Sequence, residues 1–250
     1  GLFAAFGFLS KYLFIYLLVS IDLLFIYLIF IKKERKFDFK YLITLEVFLV
    51  ILVPHLIWLN NNDFITFTYG LARTGLEQSN LIDHIKFPAI FLIKQLGIII
   101  PFFILIWLLV KKFKFKLNFK DKKLLYLLAV NFLPLILMFF TSMFMGAKIR
   151  TMWMTPFYIF SGVLFIYIFE SKVKMIKLKY FISTFLIIFI FSPIAYYYIS
   201  ITKTDKRTDY SGKEIAYQVQ KKFDEDFIGK IVWVVGDEWH GGNLSYHLAS

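Results

Sequence analysis

Six apolar segments, each 18 to 24 residues long, decide which solvent this chain can fold in. They are Leu13–Ile31, Tyr41–Leu59, Phe87–Val110, Leu124–Met145, Met152–Phe169 and Tyr180–Ser200. About 20 consecutive apolar residues cross the hydrocarbon of a bilayer as a helix. An open strand would leave its backbone groups unpaired in lipid, so helices are expected. Composition points the same way. The chain is 59% hydrophobic, against roughly 45–50% for a soluble domain, and its mean hydropathy is +0.69. Leu2–Leu9 is too short to span; it reads as the end of an earlier helix or as a re-entrant turn. Gly1 opens inside an apolar run and Tyr246–Ser250 reads as the middle of a helix. The expectation is therefore a piece of a longer protein.

Charge sets the orientation of the spans. Lys and Arg crowd every second loop: Lys32, Lys33, Arg35, Lys36 and Lys40; Lys111, Lys112, Lys114, Lys116, Lys120, Lys122 and Lys123; Lys172, Lys174, Lys177 and Lys179. Cytoplasmic loops carry such an excess, so these three are expected inside. Ser10–Tyr12, residues 60–86 and residues 146–151 then face outward, as does the tail from Ile201. The net charge of +12 is explained by orientation and anionic headgroups rather than by nucleic acid, which is not expected as a partner. With no cysteine, disulfides and thiolate metal sites are excluded.

A few basic residues stand on the wrong side. Lys11 follows Ser10 in the first outer stretch, Arg73 follows Tyr69 in the long outer loop with Lys86 after it, and Lys148 and Arg150 share a six-residue outer turn ahead of Trp153 and Pro156. Positive charge on the translocated side suggests a specific anion. Phosphate suits both residue types, because Arg offers a two-pronged donor and Lys a point charge. Snorkelling to ordinary phospholipid headgroups is the plainer alternative. The outer loop also holds Phe64, Ile65, Phe67, Tyr69 and Leu71, which predict a short interfacial helix. Asp63, Glu77, Asp83 and His84 match no metal-ligand spacing. His55 lies between Pro54 and Trp58 near the outer end of the second span. Asp22, mid-span, is either functional or satisfied by a residue such as Asn131. Glu46 and Lys94 are within reach of an interface and receive no role.

The tail changes character. A helix is predicted near Lys213–Phe227, and Lys230–Gly236 reads as a buried strand ending in a turn. A second helix is expected to begin near Asn243 or Ser245. Gly236-Asp-Glu-Trp-His-Gly-Gly-Asn243 is read as the turn joining strand and helix, since it lacks the spacing of a phosphate-binding loop. The fold class expected is an all-α polytopic membrane protein over residues 1–200. The start of a small α/β extracytoplasmic domain follows over 201–250.

Four stretches, taken in order, carry a resemblance to a known group of enzymes: Gly1-Leu-Phe-Ala-Ala-Phe-Gly-Phe-Leu-Ser-Lys11-Tyr12, Pro54-His-Leu-Ile-Trp58, Tyr69-Gly-Leu-Ala-Arg73, and Lys148-Ile-Arg-Thr-Met-Trp153-Met-Thr-Pro156. In these the chain resembles the middle and C-terminal part of the GT-C membrane glycosyltransferases of the dolichyl-phosphate-mannose–protein mannosyltransferase-like group. The lipid A aminoarabinose transferases are relatives in that group. The resemblance implies transfer of a hexose or pentose from a polyprenyl-phosphate donor to a lipid, glycan or protein acceptor at the outer face of a bacterial inner membrane. It implies Lys11, Arg73 and Lys148 as donor-phosphate residues; Arg150, from the charge pattern, is expected to join them, and Tyr69, Trp153 and His55 are expected to line a donor or acceptor pocket. It also implies a catalytic carboxylate in a loop upstream of Gly1, and leaves a divalent metal possible. The rival reading, from another class, is a transporter or flippase for an anionic lipid or solute.

Overall fold

The computed structural model describes residues 1–34, 36–75, 80–109, 117–169, 175–202, 209–237 and 239–248. Arg35, Glu77, Val110, Lys111, Lys112, Lys114, Lys116, Lys172, Lys174 and Glu238, all named above, lie outside them. Among the described residues, five helical spans are long and apolar enough to cross a membrane, or six if one bent pair counts as a single span. The protein is a helical, polytopic membrane protein. It divides into two units, Gly1–Ile182 and Ser183–Ser250.

In the first unit α1 is Leu2–Ser10, and one 3-10 turn leads into α2, Ile15–Ile26, which ends in a π turn to Ile31. Then come α3 (Tyr41–Asn61), α4 (Ile65–Ala72), α5 (Asp83–Leu109) and α6 (Lys122–Met145). A 3-10 segment, Thr151–Tyr158, precedes α7 (Ser161–Phe169). The stretch Leu2–Leu9 is thus a short helix of its own. The fifth expected span is not one straight helix: the 3-10 segment and α7 meet at 48°. Pro156 lies inside the 3-10 segment, and a proline lacks the N–H that would continue a regular helix.

Side-chain contacts fix which helix ends lie together. Tyr16, beginning α2, donates to Thr141 near the end of α6 (3.0 Å). After α2 ends, Glu34 pairs with Lys122 at the start of α6 (3.0 Å). Helices α2 and α6 are therefore antiparallel. His84 Nδ1, in the first turn of α5, donates to the carbonyl of Met143 (2.8 Å), which makes α5 antiparallel to α6. Tyr167, near the end of α7, donates to Asp121 before α6. Within the first unit the loops around Glu34 and Lys122 thus share one end of the bundle, and Tyr12, the start of α5 and the turn after α6 share the other.

Helix α6 is the centre. Its apolar window is 39% buried, against 6 to 17% for the other spans that lie wholly in the first unit. Met138 packs there with Phe91, Met154 and Phe157. Hydrophobic burial does not drive helices together inside lipid; packing and interhelical hydrogen bonds do, at about 0.6 kcal/mol per bond. Ser161 donates to Asn131 Oδ1 (2.8 Å), whose amide donates to the Leu127 carbonyl (2.7 Å). Asn131 is thus satisfied without Asp22, which is exposed and has no partner among the described residues.

Helix α8, Leu178–Thr202, runs from the first unit into the second, which also holds α9 (Gly212–Asp226) and α10 (His240–His247). The expected tail helix is α9. The expected strand is absent. Residues 230–235 run without helix or ladder, no strand occurs among the described residues, and Val232, Trp233 and Val235 are exposed. A strand exists only through a partner, and none lies beside this segment, so the α/β domain is not supported. Helix α10 begins at His240, before Asn243 and Ser245. Asp237 sets that start: its Oδ1 accepts the N–H of Trp239 (2.9 Å) and of His240 (2.6 Å), and its Oδ2 meets His240 Nδ1 (2.7 Å). These bonds, the His240 side chain first, hold the Asp237 carboxyl below its usual pKa.

Candidate functional site: a cationic cleft and an apolar groove

The turn bearing Lys148 and Arg150 is held at several points. Helix α6 ends at Gly146, whose φ of 63° is left-handed, the conformation glycine adopts most cheaply at a helix end. Ser142, fully buried, donates to the carbonyl of Ala147 (2.7 Å). The Lys148 N–H donates to the Thr74 carbonyl (2.9 Å), which ties the middle of the long outer loop, just after α4, to the turn. On α5, buried Gln95 donates to the Thr151 carbonyl (3.2 Å) and accepts from the Tyr158 hydroxyl (2.9 Å). One amide thus clamps both ends of the 3-10 segment.

That segment separates two cavities. The first is a cleft of about 540 Å³ lined by Lys86, Lys94, Lys148 and Arg150, with Phe87, Ile90, Phe91, Ile149, Thr151 and Met152. No acidic residue lines it, and none of the four cations forms an ion pair among the described residues. Like charges around one cleft repel, and an anion between them relieves the repulsion. The second cavity is a groove of about 430 Å³. Phe14, Leu17, Trp153, Pro156, Phe157 and Phe160 form much of its wall, and Ser10 and Lys11 are the hydroxyl and the charge in its lining.

The seven residues expected at a site fall into groups. Lys148 and Arg150 share the cleft, whereas Lys11 and Trp153 share the groove. Arg73 lies with its guanidinium 4.9 Å from the centre of the Tyr69 ring, next to the Thr74 carbonyl that holds the Lys148 turn. His55 accepts from, or donates to, the Tyr12 hydroxyl (2.7 Å), which also bonds Thr66 on α4 (2.9 Å). Phe67 stacks on Tyr12 at 4.9 Å and His55 on Trp58 at 5.8 Å. Helix α4 is thus fastened to the end of α1 through Tyr12 and to the cationic turn through Thr74.

Three residues that sequence reasoning misses belong here. Lys94, without a role in the sequence, lines the cleft. Its signal is a charge inside an apolar span. Lys86 stands out in sequence only as a misplaced charge, and Gln95 only as one amide among apolar neighbours. No three His, Asp or Glu side chains converge among the described residues. The chain matches no protein family, no curated protein and no solved structure.

Proposed function

We propose that this protein is an integral membrane glycosyltransferase. It moves a sugar from a polyprenyl-phosphate donor to a lipid, glycan or protein acceptor at the outer face of a bacterial inner membrane. The observation that carries the reading is the groove beside Lys11. An apolar wall with one cation and one hydroxyl in its lining matches a lipid chain that ends in a phosphate. The charge pattern supports the orientation: the Lys-rich ends lie in the cytoplasm and the tail outside.

In this reading Lys11 meets the donor phosphate, and Trp153 forms part of the wall along the lipid. Arg73, Lys148 and Arg150 add positive potential from across the 3-10 segment. Transfer leaves the lipid phosphate with one more negative charge. Fixed cations stabilise that charge where it develops, and a partly dehydrated site strengthens them. The groove is not lined by a carboxylate, so it holds and stabilises the phosphate rather than accepts the acceptor's proton.

The test is release of polyprenyl phosphate from a labelled donor by the full-length protein in vesicles, with a membrane extract as acceptor. Lys11→Gln lowers release by about 10²–10³-fold, the usual loss when one charge-stabilising group is removed, and Arg73→Gln lowers it too. Both variants still insert. Full activity in both sinks the phosphate assignment. Movement of intact donor across the vesicle without sugar transfer replaces the enzyme by a flippase.

A further inference from the structure

The cleft carries more positive charge than one lipid phosphate needs, and the 3-10 segment stands between it and Lys11. We propose that Lys86, Lys94, Lys148 and Arg150 form a second anion site, separate from the Lys11 groove, that binds a multiply charged phosphate group of the diphosphate kind. The site goes beyond the glycosyltransferase reading and stands or falls independently of it.

Four observations converge on it. The lining holds four cations and no acid, and none of the four is paired among the described residues. A single negative charge would leave most of that field uncompensated. Second, the cations come from two elements held in register. Lys86 and Lys94 stand two turns apart on α5, about 12 Å along its axis, and face Lys148 and Arg150 on the turn. Gln95, next to Lys94 in sequence, bonds the Thr151 carbonyl next to Arg150. The two cationic pairs are therefore fixed to each other rather than spread over a mobile surface. Third, a charge inside an apolar span is costly and functional by default, and Lys94 lines a cavity instead of facing lipid alone. Fourth, Arg150 is half-buried and supplies the planar two-pronged donor that suits phosphate oxygens, while the three lysines act as point charges.

Lys11 is excluded from this set by place. It lines the groove with Trp153, Pro156 and Phe157, whereas the cleft takes Ile149, Thr151 and Met152 from the near end of the same stretch. The two cavities share no residue.

Inorganic pyrophosphate is the probe, titrated by phosphorus NMR line broadening into the full-length protein in nanodiscs of zwitterionic lipid. Wild type binds it more tightly than it binds orthophosphate, and the affinity falls with added salt. Lys86→Gln and Lys94→Gln each weaken binding by about tenfold, as expected for one charge-assisted hydrogen bond. Lys94→Arg retains most of it, and Lys11→Gln leaves it unaltered. Repeating the titration in nanodiscs containing phosphatidic acid identifies the source. Competition there assigns the natural group to a lipid headgroup, and its lack assigns a water-borne ligand; either result upholds the cleft. Affinity unchanged within twofold in both Lys86→Gln and Lys94→Gln overturns the site. Equal weakening by Lys11→Gln overturns its separation from the groove. Loss of sugar transfer with pyrophosphate binding intact, or the reverse, tells failure of the two proposals apart.

Discussion

At Gly7 a single missing methyl decides the shape of the groove. A Cβ built there would stand 2.4 Å from the Phe14 ring, and both residues line the cavity. A larger side chain must push that ring aside. Gly7→Val is therefore expected to weaken polyprenyl-phosphate binding by about tenfold, the scale of one methylene group in an apolar pocket, while leaving pyrophosphate binding untouched. Equal weakening of both would mean that the substitution damages the whole outer end. Asp63 and Phe64 form a different kind of single-residue feature. Both have positive φ (50° and 53°) at the turn between α3 and α4, a conformation that costs an L-residue of order 1 kcal/mol or more. Asp63→Gly relieves part of it, and a rise in Tm is the outcome to measure. These features are invisible in the sequence, because neither Gly7 nor Asp63 differs from any loop or helix residue until its neighbours are placed.

Among the elements, the 3-10 segment Thr151–Tyr158 depends most on one partner. Gln95→Leu keeps similar bulk but strands the Thr151 carbonyl and the Tyr158 hydroxyl. A buried polar group without a partner costs about 1–3 kcal/mol. The expected result is a lower Tm together with weakened pyrophosphate binding, since the segment positions Arg150. Unchanged stability would show that lipid or water replaces the amide. The start of α6 has its own pH dependence. Asp121 caps the helix through the Lys123 N–H (2.9 Å). The hydroxyl of Tyr167, first among the causes, holds its carboxyl below the ordinary 3.8. A depressed carboxylate pKa contributes stability that is complete above the unfolded value and is lost as pH falls through the folded one. Melting measured from pH 7 downward should stay level until about pH 4 and then fall, and Asp121→Asn should flatten that acid limb. The helix lengths are legible in the sequence because apolar run length maps directly onto bilayer thickness. The break in the fifth span is not, since Met152–Phe169 is long and apolar enough to read as one span and only Pro156 and Ser161-Gly162 mark it. The tail strand misleads for the converse reason: Ile231–Val235 has strand composition, but composition supplies no partner strand.

Over the whole molecule, the alternation of basic and less basic loops makes a claim about sidedness that is tested from outside the cell. The chain has no cysteine, so single cysteines can report on it without background. A cysteine at Thr68, exposed on α4, should react with a membrane-impermeant maleimide on intact cells. One at Asp38, among the lysines after α2, should react only after permeabilisation. The opposite pattern would invert the topology and move both cavities to the cytoplasmic side.

The sequence by itself determined the solvent, the apolar runs long enough to span it, and a set of cations that stand apart from the Lys-rich loops. These follow from run length and local charge, which need no knowledge of neighbours. Only the tertiary structure decided how those cations group. It divided Lys11 from Lys148 and Arg150, and added Lys86 and Lys94 to the latter pair. It also hung the turn between them on Gln95, Ser142 and Thr74. The physical reason is separation along the chain. Lys94 and Arg150 lie on different elements, and their common cleft exists because α5 runs antiparallel to α6 and one buried amide bonds the backbone next to Arg150.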